Sequence, residues 1–177
     1  MRKIKLTATL VLAAALLAGC NPTYNWRDYR SPDAPYQVMF PAKPATHTRS
    51  VDLNGLKVDM TMTAAEVEGV MFAVGTGVAP DAAQAQAAVD AMRTAMLRNI
   101  GATVQRESAS AASSGSPGSE RKSVDVDATG TGNGGPMKLS GHFESRGKRF
   151  YQVIVLGKEK AVAPEQSEQF LKSFTLL

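Results

Sequence analysis

Residues 150–156 read FYQVIVL, a run that is apolar at nearly every position. A strand with one solvent-facing side alternates between apolar and polar residues, whereas a strand covered on both sides is apolar throughout. The run therefore predicts a central strand of a sheet that is packed on both faces. Gly147 and Lys148 stand just before it and favour a turn from a preceding strand.

The preceding segments alternate as strands with one buried face do. Residues 123–128 and 138–144 both alternate, and a glycine-rich stretch between them favours a hairpin turn. A single register matches charge and hydrophobicity together, which supports the hairpin. Its pairs are Asp127 with Lys138, Arg121 with Glu144, and Val126 with Leu139. The same register places His142 opposite Ser123.

The first half of the chain carries two further turn signals. Asn54-Gly55 is a strong two-residue hairpin turn, and Glu68-Gly69 is a second turn. Residues 56–64 alternate well between these turns. Pairing about the second turn sets two methionines opposite two glycines, namely Met62 opposite Gly75 and Met60 opposite Gly77. The glycines leave a shallow face on their strand, which a helix backbone can approach closely.

A helix is predicted after residue 81. Asp81 caps it with Gln84 as its capping-box partner, and Gly101 ends it. An apolar stripe at helical spacing comprises Ala85, Val89, Met92, Met96 and Ile100. Such a stripe belongs to a core or, alternatively, to a methionine-lined binding surface. We expect the core, with the stripe packed over the shallow face of Gly75 and Gly77.

These elements predict an α+β fold, an antiparallel β-sheet of hairpins with one long central helix and a short C-terminal helix packed on it. Pro164 opens the short helix. Residues 36–177 form a single domain in this prediction. The Ser/Ala/Gly-rich residues 108–119 form a flexible loop within it, and 175–177 add a last strand or cover the core.

The N-terminal residues 1–19 read as a secretion signal. Three basic residues precede an apolar run at 10–17, which is about half the ~20 residues that span a bilayer. Leu17-Ala18-Gly19-Cys20 resembles the lipobox of bacterial lipoproteins. That resemblance implies cleavage before Cys20 and acylation of Cys20, so that the lipid bilayer is the first partner. Asn21 then favours the outer membrane, facing the periplasm.

Residues 20–35 are predicted to be a lipidated tether. Tyr24, Trp26 and Tyr29 alternate there with arginines, a mixture that suits a lipid headgroup interface. The alternative is that these aromatic residues cover the edge of the folded domain.

The mature domain also resembles a known superfamily. It opens with Tyr-x-Val-x-Phe-Pro at 36–41 and closes with Phe-Leu-Lys-Ser-Phe at 170–174 around a helix-split antiparallel sheet. These features are similar to the PsbP superfamily, which includes lumenal photosystem subunits and DcrB-type bacterial envelope lipoproteins. The resemblance implies a fold and carries over no functional residue.

Charge and cysteine content exclude several classes. The signal holds three of the 20 basic residues and no acidic one, which leaves 17 basic against 16 acidic residues, a net +1. The basic balance of the precursor is therefore no argument for nucleic-acid binding, and we predict none. Cys20 is the only cysteine, so the domain has no internal disulfide. With His47 and His142 as the only histidines, we predict no metal site and no cofactor.

Two motifs suggest catalytic or nucleotide-binding chemistry, but the residues around them do not fit either function. Residues 130–135 fit the letters of the dinucleotide fingerprint, but Pro136 and a strand follow where a helix must begin. Ser123, His142 and Asp125 could compose a hydrolytic triad, but no G-x-S-x-G elbow exposes a nucleophile. We therefore predict a loose hairpin at the first motif, a solvated strand histidine at the second, and no catalytic residue.

A basic hairpin remains, with Arg146, Lys148 and Arg149 followed by Lys158 and Lys160. It would meet anionic headgroups or a partner, or form a solvated loop. Three hypotheses for function remain. The first is a non-enzymatic binding or assembly module of the envelope with a protein partner. The others are an envelope enzyme of hydrolase type and a structural accessory of a larger complex.

Overall fold

The computed structural model describes residues 23–112, 115, 119–132 and 134–177. The predicted secretion signal and Cys20 lie outside the described residues, so both stay predictions. The elements in chain order are β1 (Arg27–Arg30), β2 (Tyr36–Phe40), β3 (Ala45–Leu53), β4 (Leu56–Val67), β5 (Val70–Val78), α1 (Ala82–Asn99), β6 (Thr103–Ala112), β7 (Arg121–Gly132), β8 (Gly135–Arg146), β9 (Arg149–Lys158), α2 (Pro164–Ser173) and β10 (Thr175–Leu176).

Seven strands form the main sheet in the order β3-β4-β5-β9-β8-β7-β6, and every neighbouring pair is antiparallel. β9 lies fourth of the seven, which confirms the central strand predicted from the run at 150–156. Its side chains alternate between two cores. Ile154 belongs to the core under α1, whereas Val153 and Val155 belong to the core under α2.

The predicted fold class, an α+β domain with one long central helix, is wrong. Strands hold 57% of the described residues and helices hold 19%. Both helices are short beside the sheet, and each covers part of one face while the sheet occupies the centre. The strands that follow the helix are longer than predicted, because β7 and β8 each continue for twelve residues to their turn. The molecule is predominantly β.

The segment after α1 also differs from the prediction. Residues 103–112 form β6, which pairs with β7 along its length, whereas residues 108–112 were expected to begin a flexible loop. A strand at the edge of a sheet needs no apolar face, because neither side of it has to be buried. The Ser/Ala composition of β6 therefore carried no strand signal.

Two of the three predicted hairpin registers are confirmed. Leu53 pairs with Leu56 about Asn54-Gly55, and Val67 pairs with Val70 about Glu68-Gly69. The third register is wrong by two residues, since Gly132 pairs with Gly135 and Arg121 lies opposite Arg146. The residues between Gly132 and Gly135 are an Asn-Gly pair, the dipeptide that favours the tightest hairpin turn. The turn sets this register, and the charge pattern does not.

The capped start of α1 is confirmed, since Asp81 Oδ1 accepts from the backbone N–H of Gln84 at 2.8 Å. Its apolar stripe is core: Val89 and Met92 are buried and Met96 is half-buried. The predicted packing over the glycines is wrong, however, because α1 lies mainly against β7, β8 and β9. Met60 and Met62 fill the space above Gly75 instead, because their flexible ends reach across from β4.

The other face of the main sheet is covered by α2 and by a small sheet in the order β1-β2-β10. The aromatic residues of the predicted tether take part in this cover. Tyr24 and Trp26 stack on each other and each meets the ring of Phe72 edge-on, with Trp26 at 6.2 Å from it. Tyr29 meets Phe40 at 5.5 Å. Of the two alternatives for these residues, the structure shows the one in which they cover the domain.

Candidate functional site: a polar groove beside α2

A groove of about 1260 Å³ runs between α2 and the neighbouring face of β6, β7 and β8. This face carries the side chains of the strand positions that point toward α2, and they are mainly polar. α2 and the small sheet cover the part of the face built by β4, β5 and β9 and reach the near side of β8, but they leave β6 and β7 open. The groove follows from this incomplete cover, because polar strand positions need no partner layer.

Hydrogen bonds between strands order the floor of the groove. Ser140 Oγ donates to Asp127 Oδ1 at 2.7 Å, and Arg106 forms an ion pair with the same carboxylate. Further along, the hydroxyls of Ser110 and Ser123 bond each other at 2.8 Å. The polar groups of the floor are thus largely satisfied within the protein, which leaves few of them aimed at a ligand.

His142 lies at one end of this floor and bridges two carboxylates. Its Nδ1 is 2.7 Å from Asp125 Oδ1, and its Nε2 is 3.1 Å from Glu144 Oε2. Burial favours the neutral imidazole, but the bonds to Glu144 and Asp125 outweigh it and raise the pKa of His142. The two carboxylates therefore favour the protonated form of the imidazole more than bulk water does.

Glu144 is the buried member of this cluster, with a side chain 3% exposed. A buried carboxylate needs charged or hydrogen-bonding partners. Arg121 supplies one, with its Nε 2.6 Å from Glu144 Oε1, and His142 supplies the other. Burial raises the pKa of Glu144, yet these two partners outweigh burial and lower it below its usual value. Although the predicted backbone register is wrong, the predicted Arg121–Glu144 ion pair forms as a diagonal contact.

The residues considered for a hydrolytic triad are not assembled as one. A triad needs one imidazole nitrogen on the carboxylate and the other on the serine hydroxyl. Here both nitrogens of His142 face carboxylates, and the Ser123 hydroxyl bonds to Ser110. Asp125, which was not predicted there, lies opposite His142, and Ser123 lies opposite Glu144.

The glycine-rich motif at 130–135 lies at the end of the β7–β8 hairpin, as predicted, but the connection is not loose, because strand pairing continues to Gly132 and Gly135. Gly130 and Gly132 lie in β7, and Gly135 begins β8. A Cβ on Gly130 would collide with the carbonyl group of Ile100 at the end of α1. Close approach of the helix end therefore requires this glycine, in place of the nucleotide contact that its letters suggest.

In the described part of the chain, no group of three or more His, Cys, Asp or Glu side chains is arranged to hold a metal ion. His47 is exposed on β3, far from His142 along the sheet order. Neither α1 nor α2 is long and apolar enough to cross a membrane.

Sequence reasoning singled out His142, Asp125 and Ser123 but missed most of the groove. Arg106 and Lys172 both line it, from β6 and α2. These residues are 66 positions apart in the sequence and share no motif. No signal in the sequence could have joined them, because only the pairing of β6 with β7 and the return of α2 bring them to one groove.

No protein-family model matches this chain, and no curated protein sequence matches it. The resemblances drawn from short motifs in the sequence accordingly stay predictions.

Proposed function

We propose that this chain is a lipid-anchored lipoprotein of the cell envelope that works as a non-enzymatic binding or assembly module. The lipobox at 17–20 supports the anchor, and Asn21 after it supports the outer membrane with the domain facing the periplasm. The observation that carries the binding role is the exposure of β6, one of the two edge strands of the main sheet. All ten of its residues are exposed.

An exposed strand edge presents unpaired N–H and C=O groups that another extended chain can bond. No strand of the described chain pairs with the outer side of β6. Natural edges are usually protected by charged residues or proline. The second half of β6, residues 108–112, reads SASAA and has neither. β3 at the opposite edge carries Arg49 and Asp52 and is better protected.

The module therefore receives an extended segment of an envelope protein as an additional strand beside β6. Small side chains at 108–112 let the partner backbone approach, since they add little bulk beyond the sheet. The alternative, an envelope hydrolase, has less support. The histidine of its candidate triad is His142, and both nitrogens of that ring already bond carboxylates.

Site-specific crosslinking in cells tests this proposal. A photo-crosslinking amino acid replaces Ala109 in β6 of the full chain, and a matched variant carries it at Ser50 in β3. Both positions are exposed on edge strands, so they differ only in which edge they report. We expect one abundant protein adduct at position 109 and none at 50. Adducts at neither position, or equal adducts at both, would contradict strand addition at β6.

A blocking variant adds a second readout. Ala109→Lys places a charge on the edge of β6 and should weaken the adduct formed from the neighbouring position 111. Ser50→Lys is the matched control and should leave that adduct unchanged. If the lysine at 109 has no effect, the partner does not pair with this strand.

A further inference from the structure

Three arginines lie side by side at one end of the main sheet. The strand register sets Arg121 directly opposite Arg146, and Arg146 directly opposite Arg149. Directly opposed residues on neighbouring strands have their Cβ atoms about 5 Å apart and on the same face. The three side chains, which we call the arginine row, therefore point to the face that carries α2. Like charges at such positions repel and destabilise a sheet unless something compensates them.

Only one carboxylate compensates this row among the described residues. Glu144 pairs with Arg121, and neither Arg146 nor Arg149 forms an ion pair in the described part of the chain. Glu120 precedes Arg121, but among the described residues it makes no ion pair with the row either. Within that part of the chain, two guanidinium groups thus have no counter-charge, beside a third whose charge is already balanced.

A cavity of about 390 Å³ opens beside the row. Arg121 and Arg146 line it together with Lys172, His142 and Glu144. Lys172 pairs with Glu168 and Arg121 pairs with Glu144, so Arg146 is the lining cation without a counter-charge among the described residues. Three apolar residues form another part of the wall, namely Leu171, Phe174 and Leu176. The cavity therefore combines an excess of positive charge with an apolar surface. Such a combination suits a ligand that has an anionic group and an organic part.

We propose that the arginine row and the adjoining cavity bind a phosphate group. Guanidinium forks match phosphate oxygens with paired hydrogen bonds. A phosphomonoester carries a charge of about −1.5 to −2 at neutral pH, which balances the two uncompensated arginines better than a single carboxylate does. The organic part of the ligand lies against Phe174 and its apolar neighbours. This site lies on β7, β8 and β9, so the proposal of phosphate binding does not depend on the proposal of strand addition at β6.

Binding is measured by calorimetry on the full chain in neutral detergent, at constant ionic strength set with chloride. Inorganic phosphate is one probe, and a short-chain phosphatidic acid is the other, because a phosphate group can come from a free metabolite or from a lipid. Equal affinity for both identifies the free phosphate group, and much tighter binding of the lipid identifies a headgroup with its chains on the apolar wall. Absence of binding to both probes overturns the proposal.

Substitutions of single arginines test whether the arginine row forms the binding site. Arg146→Gln and Arg149→Gln should each weaken the binding of the probe by about tenfold or more, as expected for loss of a charge-assisted contact. Lys160→Gln removes the same charge outside the row and should leave the affinity unchanged. Equal losses in all three variants would show a diffuse charge effect and would overturn the site.

Thermal unfolding distinguishes a loss of phosphate binding from a folding defect of the variant. Without phosphate, Arg146→Gln should unfold at the same temperature as the wild type or higher, because it removes a repulsion. Phosphate should raise the unfolding temperature of the wild type and not that of Arg146→Gln. A variant that is destabilised without phosphate would show that Arg146 has a structural role and would contradict this account.

Discussion

His142 joins β7 and β8 through both of its ring nitrogens. The two acceptors, Asp125 and Glu144, come from different strands, so a protonated imidazole closes a bridge across the hairpin. A neutral imidazole has one N–H and can donate to only one of them. The charge state of a single ring therefore changes how firmly the two strands are tied.

This bridge predicts a pH dependence of stability. The folded-state pKa of His142 lies above its ordinary value of 6.5, so its contribution is full below that value and is lost as the pH rises through the folded pKa. We expect His142→Gln to lower the free energy of unfolding more at pH 5.5 than at pH 8.5, as measured by urea unfolding. The same loss at both values would mean that the charge of the ring contributes nothing.

A second prediction at the scale of single residues concerns Gly130. A Cβ there would collide with the backbone carbonyl of Ile100, and the backbone cannot rotate away. Gly130→Ala should lower the free energy of unfolding by roughly 1–3 kcal/mol, the usual cost of overpacking. Gly75→Ala is the matched control, since its Cβ meets the flexible ends of Met60 and Met62. It should cost less, and the reverse order would contradict the assigned contacts.

At the scale of elements, α1 shows how a helix is placed by its own apolar stripe and by the strands it meets. Ala85 and Ala88 are fully buried, so the helix backbone comes close to the sheet there. Ion pairs at the rim hold the same placement, Lys122 of β7 with Asp90 at 2.5 Å and Arg93 with Glu107 of β6. The helix thus ties the outer strands β6 and β7 to the central ones.

Truncation of two methionines on this helix tests the placement. Met92 is 2% exposed and belongs to the core under α1, so Met92→Ala should cost about 2–5 kcal/mol of unfolding free energy. Met96 is half-buried on the same helix and serves as the matched position, where the cost should be smaller. Urea unfolding measures both. Equal and small losses would instead make the methionines a surface feature.

At the scale of the whole molecule, the described N-terminal residues and the polar groove lie on the same side of the main sheet. Tyr24 and Trp26 pack into the core under α2, and the groove opens beside α2. Tyr24 and Trp26 therefore lie on the face that carries the groove and the arginine row. α1 covers the opposite face.

The anchor itself is tested by Cys20→Ser. Acylation requires the thiol, so the variant should lack lipid and accumulate as unprocessed or misplaced protein. Mass spectrometry of the wild-type mature protein should find an acylated N-terminus at Cys20. An unmodified N-terminus at any other residue would contradict the lipoprotein proposal.

Several local features of this fold follow from the sequence by itself. Asn54-Gly55 favours left-handed backbone at both positions of its turn, and Gly69 favours it at the second position of the Glu68-Gly69 turn. These turns determine which residues pair across β3, β4 and β5. The apolar run at 150–156 similarly identifies the central strand. The cap of α1 also follows from neighbouring residues alone. These are short-range effects, and short-range effects are readable in a sequence.

The tertiary structure decided the rest. β6 is a strand because β7 offers it a bonding edge, and its own Ser/Ala composition gives no sign of this. The groove unites β6 with α2, and the arginine row unites three strands at register positions that depend on two turns. Contacts of this kind depend on the relative placement of distant segments, which packing of the two cores determines and local propensity does not.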